Sequence, residues 1–297
     1  MSDKNLMIIG GQASGTSTLI GGLVHYLNKE EPYVVYYTLQ GAETEFSENV
    51  MDKMGQLEYP NQNPDHYILD LMIGSDSFVF PDVEVSILDF PGEGYSRLFG
   101  VNDLEQILDE SNIDGNIGER YSNIVQEEFE HGVFPVAVDD IEIAIKYHYI
   151  QTDKIIFPLN FVKLYDFDGM EIIFNVDMID IASQYTDVAV VPIGIDWVGY
   201  EIESNNNGIL RQMRERVFRT GIRDEYCLEY LDNMNTGINN TVTNILHYIE
   251  ANEDIDFIPV VVPDKGSPSE RTGELTPDDS GGFVVEGFED LVKWLRR

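Results

Sequence analysis

Apolar residues along the chain fall into short unbroken runs separated by longer stretches with helical spacing. Leu6-Met7-Ile8-Ile9 opens the pattern as a continuous apolar run, as expected of a strand buried on both faces of a parallel sheet. Gly10 to Gly15 breaks the run. Leu19, Ile20, Leu23, Val24 and Leu27 then recur at helical spacing within Ser17 to Lys29. Tyr33 to Leu39, after Pro32, is rich in Val and Tyr and predicts a second strand. A polar helix is expected over about Glu43 to Met54, followed by a Pro- and Asn-rich loop, Tyr59 to Asp65. Tyr67 to Ile73, Val83 to Leu88, Lys154 to Leu164 and Val188 to Ile195 are further strand-like runs, with a shorter one at Met170 to Phe174. Leu98 to Tyr149 reads as largely helical, as do Met178 to Gln184, Ile209 to Phe218 and Tyr226 to Glu250. Phe257 to Val262 is the last expected strand, and a hydrophilic loop from Pro263 to Gly282 leads to a terminal helix, Phe288 to Arg297.

Strands alternating with helices predict an α/β fold. The expected architecture is a doubly wound, mostly parallel sheet flanked by helices, with a helical insertion over about 98–150. No internal repeat and no long linker divides the sequence, so residues 1–297 are expected to form one domain.

Charge changes this ordinary picture. The hydrophobic fraction of 43% suits a globular protein, but 54 Asp and Glu face 18 Lys and Arg, for a formal net charge of −36. The acids are spread along the sequence rather than gathered in a tail. Hydrated carboxylates keep a protein soluble in molar salt, where their repulsion is screened over roughly 3 Å. The composition therefore implies a salt-adapted protein of a halophilic, archaeal source. The same surface repels phosphate backbones and anionic headgroups, which argues against broad nucleic-acid or membrane-surface binding. Cys227 is the single cysteine, which rules out an internal disulfide framework and a Cys-based zinc site. His25, His66, His131, His148 and His247 are scattered without ligand spacing. The polar amino terminus and the absence of an 18-residue apolar run predict a cytoplasmic protein without membrane insertion.

Three segments carry candidate chemistry. Gly10-Gly11-Gln12-Ala13-Ser14-Gly15-Thr16-Ser17 fits the spacing G-x-x-x-x-G-K-[ST] at every fixed position except the lysine. Two glycines let successive backbone N–H groups turn inward as an anion nest, at the amino end of a helix whose dipole also favours phosphate. The residue after the second glycine ordinarily brings positive charge to the outer phosphates, and the next hydroxyl binds magnesium. Here Thr16 takes the first place and Ser17 the second, with Thr18 following in the helix. A glycine-rich turn between strand and helix also serves packing alone, and the missing lysine keeps that alternative open. In Ile87-Leu88-Asp89-Phe90-Pro91-Gly92-Glu93, an Asp ends a buried strand and a Gly follows three residues later. Such an Asp holds magnesium through water, and such a Gly N–H contacts a terminal phosphate; Asp before Pro-Gly is also a common turn. In Ile193-Gly194-Ile195-Asp196, Asp196 ends a strand where a carboxylate could accept two hydrogen bonds from a guanine edge, or where it is a simple strand-end residue.

Together these segments resemble the TRAFAC class of P-loop GTPases, with a Ras-like fold, and within it the prokaryotic double-GTPase families. The resemblance runs from Leu6 to Arg297. Its most specific piece is Leu88-Asp89-Phe90-Pro91-Gly92-Glu93, similar to the D-x-P-G-E form of switch II; Tyr59-Pro60 resembles the switch I region and Val292-Lys293-Trp294-Leu295 the terminal helix signature. The resemblance implies GTP or GDP as ligand, held by Gly10 to Thr18 and by Asp196, with Mg2+ at Ser17 and Asp89. It assigns the hydrolytic machinery to Asp89, Gly92 and Glu93, and the role to a nucleotide-dependent switch or assembly regulator acting on a protein partner. Two positions depart from it: Thr16 replaces the P-loop lysine, and Gly194 the base-recognition lysine. A charged hydrogen bond is worth roughly 1.5–3 kcal/mol, so the first loss alone weakens phosphate binding on the order of 10- to 100-fold. Hydrolysis is thus expected to be slow or partner-dependent, and the alternative is an inactive pseudo-GTPase scaffold. Arg97, Lys163 or Lys265 could supply the charge, or a potassium ion beside Thr16.

Overall fold

Alternation of apolar residues builds a seven-stranded sheet in the computed structural model, which describes residues 2–11, 14–29, 33–41, 50–60, 67–75, 83–89, 143, 146–160, 176–193, 240–266 and 272–297. The strands are β1 (Ser2–Ile8), β2 (Tyr33–Gly41), β3 (Tyr67–Ser75), β4 (Val83–Asp89), β5 (Lys154–Asn160), β6 (Asp187–Ile193) and β7 (Asp256–Phe257). Their order across the sheet is β2-β3-β4-β1-β5-β6-β7. The run from β4 to β7 is parallel, whereas β3 is antiparallel to both β2 and β4. The α/β class and the mostly parallel sheet expected from the sequence are present.

Four helices of two turns or more accompany the sheet among the described residues: α1 (Thr16–Lys29), α2 (Val176–Ser183), α3 (Asn240–Ala251) and α4 (Phe288–Arg296). Burial separates two layers. Leu6 and Ile8 of β1, Ile156 of β5 and Val191 of β6 share one core with Leu19 and Leu23 of α1 and Leu291 and Trp294 of α4. The alternate residues Met7, Ile155, Phe157 and Val190 are equally buried and belong to the opposite face, where α2 packs on β6 and α3 on α2. Central parallel strands covered on both sides read as unbroken apolar runs, which is why β5 and β6 stood out in the sequence. β3 and β4 instead bury only alternate residues, Leu69, Leu71 and Ile73 and Val83, Val85 and Ile87. On the other face of this antiparallel pair, Asp70 lies across from Ser86, whose hydroxyl donates to its carboxylate at 2.6 Å.

The structure corrects several boundaries. β1 begins at Ser2 rather than Leu6, because its polar first half pairs with β4 from Ser2↔Val83 onward. β7 is shorter than the expected Phe257 to Val262. The N–H groups of Ile258 and Val260 still donate to Val190 and Pro192 of β6, but Pro192 has no N–H to return a bond and the regular ladder ends. The described parts of the expected Pro263 to Gly282 loop, 263–266 and 272–282, are bridged rather than open. Isolated bridges Asp264↔Leu275, Pro277↔Phe283 and Val261↔Glu286 fold them back on themselves, and Glu58↔Glu274 ties them to the segment after a one-turn helix, Lys53–Gly55. Apart from residues 143 and 146–150, the insertion over about 98–150 lies outside the described residues, as do the expected strand 170–174 and helix 209–218. Among the described residues no helix is long and apolar enough to cross a membrane.

Close approach fixes α1 in this frame. A side chain at Gly21 would collide with Val50 and Met54, and one at Gly22 with Phe288. The glycine pair therefore lets the helix press against the 50–55 turn on one side and α4 on the other.

Candidate functional site

Chain direction reverses around the middle of the sheet. From β1 the chain crosses towards β2, β3 and β4, and after β4 it passes to β5 and continues outward to β6 and β7. The adjacent ends of β1 and β5 thus form a topological switch point, the place where open α/β sheets bind ligands outside the carboxyl ends of their strands. The glycine turn lies there. Ile9 is the last β1-side residue to bond β5, its N–H donating to the Ile156 carbonyl at 2.9 Å, and Gly10 begins the turn.

Both fixed glycines are required by their surroundings. A Cβ on Gly10 would strike the Ser14 side chain and lie 2.9 Å from Pro158 Cγ of β5. Gly15 adopts φ +86°, in the left-handed region, and a Cβ there would stand 3.1 Å from Ile193 Cδ1 and 3.4 Å from Asn160 Nδ2. A left-handed residue directly before a helix orients successive N–H groups toward a common point. The Leu19 N–H donates to the Gly15 carbonyl at 2.9 Å. The N–H groups of Thr16, Ser17 and Thr18 precede that bond, at the positive end of the α1 dipole.

The hydroxyl in place of the lysine is turned inward. Ser14, 3% exposed, and Thr16 hold their hydroxyl oxygens 2.9 Å apart, and the Ser14 N–H donates to the Gly11 carbonyl at 3.2 Å. Thr16 thereby braces the turn. Asp89 ends β4, and Leu88 is paired with Met7 of β1, so the Asp89 backbone stands one strand away from the start of the turn. The Asp89 side chain, Gln12, Ala13, Gly92, Glu93 and Asp196 lie outside the described residues. In sequence, Asp196 follows Ile193, the last residue of β6, by three positions.

Two features escaped the sequence. Asn160 ends β5 opposite Ile193 of β6 and borders Gly15; the signal available was a polar amide closing an apolar strand at the carboxyl edge. The other is the anchoring of Tyr59-Pro60. The Tyr59 hydroxyl donates to the Val262 carbonyl at 2.9 Å, and the Leu275 N–H to the Leu57 carbonyl at 2.6 Å, with Leu57 itself at φ 65°. The segment resembling switch I is thus fastened to the chain that follows β7. There Asp264 accepts from the N–H groups of Gly266, Thr272 and Gly273. Burial pushes its pKa up, but these bonds outweigh it and hold the carboxyl below its usual value.

Of the cations considered as substitutes for the P-loop lysine, Lys265 is ion-paired with Glu274 at 2.8 Å, and its charge is committed there. Arg97 and Lys163 lie outside the described residues. Among the described residues no cluster of three or more His, Cys, Asp or Glu is placed to hold a metal. A magnesium ion at Ser17 and Asp89 would draw its other oxygens from phosphate and water, as that ion ordinarily does. Compared with known proteins, the chain matches no protein-family model and no curated protein.

Proposed function

We propose that the chain is a Ras-like P-loop domain that binds a guanine nucleotide at the Gly10 to Thr18 turn and serves as a nucleotide-dependent switch or assembly regulator for a protein partner. The observation that carries this reading is the seat of the turn: a left-handed Gly15 leading into α1 at the switch point between β1 and β5. The N–H groups of the turn and of the first helical residues would hold the phosphates. Ser17, in the first turn of α1, and Asp89, the last residue of β4, would offer a hydroxyl and a carboxylate, hard oxygen ligands suited to Mg2+. That ion would supply charge neutralisation at the outer phosphates. Asp196 would accept from the guanine edge, while Gly92 and Glu93 would face the terminal phosphate.

Thr16 limits catalysis. Phosphoryl transfer rests largely on positioning and charge stabilisation, and a hydroxyl bonded to Ser14 contributes no charge. Hydrolysis is therefore slow or partner-dependent. A potassium ion coordinated by the Thr16 hydroxyl and phosphate oxygens would restore part of the lysine's charge. The inward Ser14–Thr16 pair also favours a second reading, an inactive scaffold whose glycine turn serves packing.

Competition among GTP, GDP and ATP with magnesium in molar KCl, followed together with phosphate release, separates these readings. Preference for GTP and GDP with slow release supports the switch, and Asp196→Asn then shifts preference toward xanthine nucleotides. Equal affinity for ATP defeats the guanine assignment, and no binding of any nucleotide leaves the scaffold. Raising KCl at constant ionic strength, balanced by a bulky organic cation, tightens GTP binding if potassium replaces the lysine; potassium-independent affinity removes the ion.

A further inference from the structure

At the amino edge of the sheet, away from the glycine turn, β1 overhangs β5. Ser2 to Asn5 pair with β4, whereas pairing with β5 begins only at Leu6↔Lys154. The step opens a polar cleft of about 500 Å3, within the range of small-molecule sites. Its lining contains two of the protein's 18 basic residues, Lys4 and Lys154.

The two lysines differ in their partners. Lys154 is 1% exposed, donates to Asp187 at 2.8 Å and lies over the Trp294 ring at 4.4 Å. Lys29, Lys265 and Lys293 likewise hold carboxylates, at 2.7–2.8 Å. Lys4 does not: among the described residues no carboxylate lies within ion-pairing distance of it, although Asp187 and Asp153 are near enough to act on its charge. Among the described residues Lys4 is thus a partly buried ammonium with no carboxylate in ion-pairing distance, in a chain where acids outnumber bases by 54 to 18.

Apart from the exposed Tyr185, whose phenol can also donate, the remaining lining side chains accept hydrogen bonds. The hydroxyls of Thr152, Ser183 and Thr186 donate to the carbonyls of His148, Asp180 and Ala182 at 2.8, 2.8 and 3.1 Å. With their protons committed, these oxygens offer only lone pairs to a ligand. Asp153 and Asp187 add carboxylates. A bare anion would gain Lys4 but meet this ring of acceptors, and a bare cation would gain the acceptors but meet the Lys4 ammonium. A molecule carrying both charges satisfies each side.

We propose that this cleft is a binding site for a small zwitterion of the amino-acid class, its carboxylate held by Lys4 and its ammonium by Asp153 and the hydroxyl oxygens. Lys154, fixed between Trp294 and Asp187, sets the position of the Asp187 carboxylate without needing the ligand. The site is independent of the nucleotide reading, since it uses the opposite edge of the sheet.

The test is an NMR titration of the full chain in molar KCl with L-glutamine, and with acetate and methylammonium as single-charge controls. Expected are saturable shifts confined to the Lys4, Thr152 and Thr186 amides, with each control binding at least about tenfold more weakly. Lys4→Ala should weaken L-glutamine at least about tenfold, the scale of one charged hydrogen bond. Asp153→Asn keeps an acceptor for the Asn5 N–H that Asp153 now binds, and should weaken L-glutamine while sparing acetate. No saturable L-glutamine binding, acetate binding as tightly as L-glutamine, or unchanged L-glutamine affinity in either folded variant would overturn the proposal.

Discussion

Replacing Thr16 by Lys returns a positive charge to the one place where the glycine turn lacks it, and the structure sets opposing effects on stability and binding. The substitution removes the 2.9 Å hydroxyl contact between Thr16 and Ser14. One such bond contributes about 0.5–1.5 kcal/mol, and Ser14 is buried, so loss of its partner adds to the cost unless the hydroxyl rotates to another acceptor. A net loss of about 1 kcal/mol lowers the melting temperature by roughly 2–4 °C in a domain of this size. The new ammonium gains about 1.5–3 kcal/mol on meeting phosphate oxygens, so GTP should bind about 10- to 100-fold more tightly. Calorimetric titration of both proteins with GTP and magnesium in molar KCl, beside thermal melts, measures the two effects. A lower melting temperature with no gain in affinity would refute the assignment of this turn to phosphate, and leave Thr16 as a packing residue.

Gly287 precedes α4 at φ +81°, and a Cβ there would collide with the Pro259 carbonyl oxygen, a backbone atom between residues bonded to β6. Left-handed strain of roughly 1–2 kcal/mol plus this collision makes about 3 kcal/mol the expected cost of Gly287→Ala; a denaturant midpoint within error of the natural chain would contradict that placement. Burial pushes His148 down to about 4, so both states are neutral above its ordinary value near 6.5, and the unfolded chain alone takes up the proton as pH falls below it. Stability contributed by the neutral imidazole is therefore present at pH 7.5 and reduced by roughly 2 kcal/mol at pH 5. His148→Gln should remove that part of the slope in denaturant titrations at the two pH values, and identical slopes in both proteins would count against the burial.

What could be read from the sequence follows from where side chains are covered. β5 and β6 are buried on both faces, so Ile155 to Leu159 and Val188 to Ile193 read as unbroken apolar runs. α1 kept its register because Leu19, Ile20, Leu23, Val24 and Leu27 all enter the core. The first half of β1 was hidden, since Asp3, Lys4 and Asn5 pair through their backbones and carry no apolar pattern. Antiparallel pairing of β3 with β2 and β4 was equally hidden, because strand direction is decided by the path of the chain rather than by the residues of one strand. The bridged segments 264–266 and 272–286 depend on Asp264 and Asp278 gathering local N–H groups, bonds that a polar composition does not distinguish from an open loop. At the candidate site, the glycine spacing pointed to Gly10 and Gly15 as turn positions, and the structure leaves neither of them room for a side chain. Asn160 and the Lys4 cleft could not be read in the same way, since they exist only where strands far apart in sequence end side by side.

GTP titration of the natural chain and of Ser17→Ala, each with and without magnesium, tests the proposed guanine nucleotide site at the carboxyl ends of β1 and β4. Saturable binding of one GTP per chain is expected, tightened by magnesium in the natural protein and indifferent to it in Ser17→Ala. Absence of saturable binding, or a magnesium response that Ser17→Ala leaves intact, would contradict it.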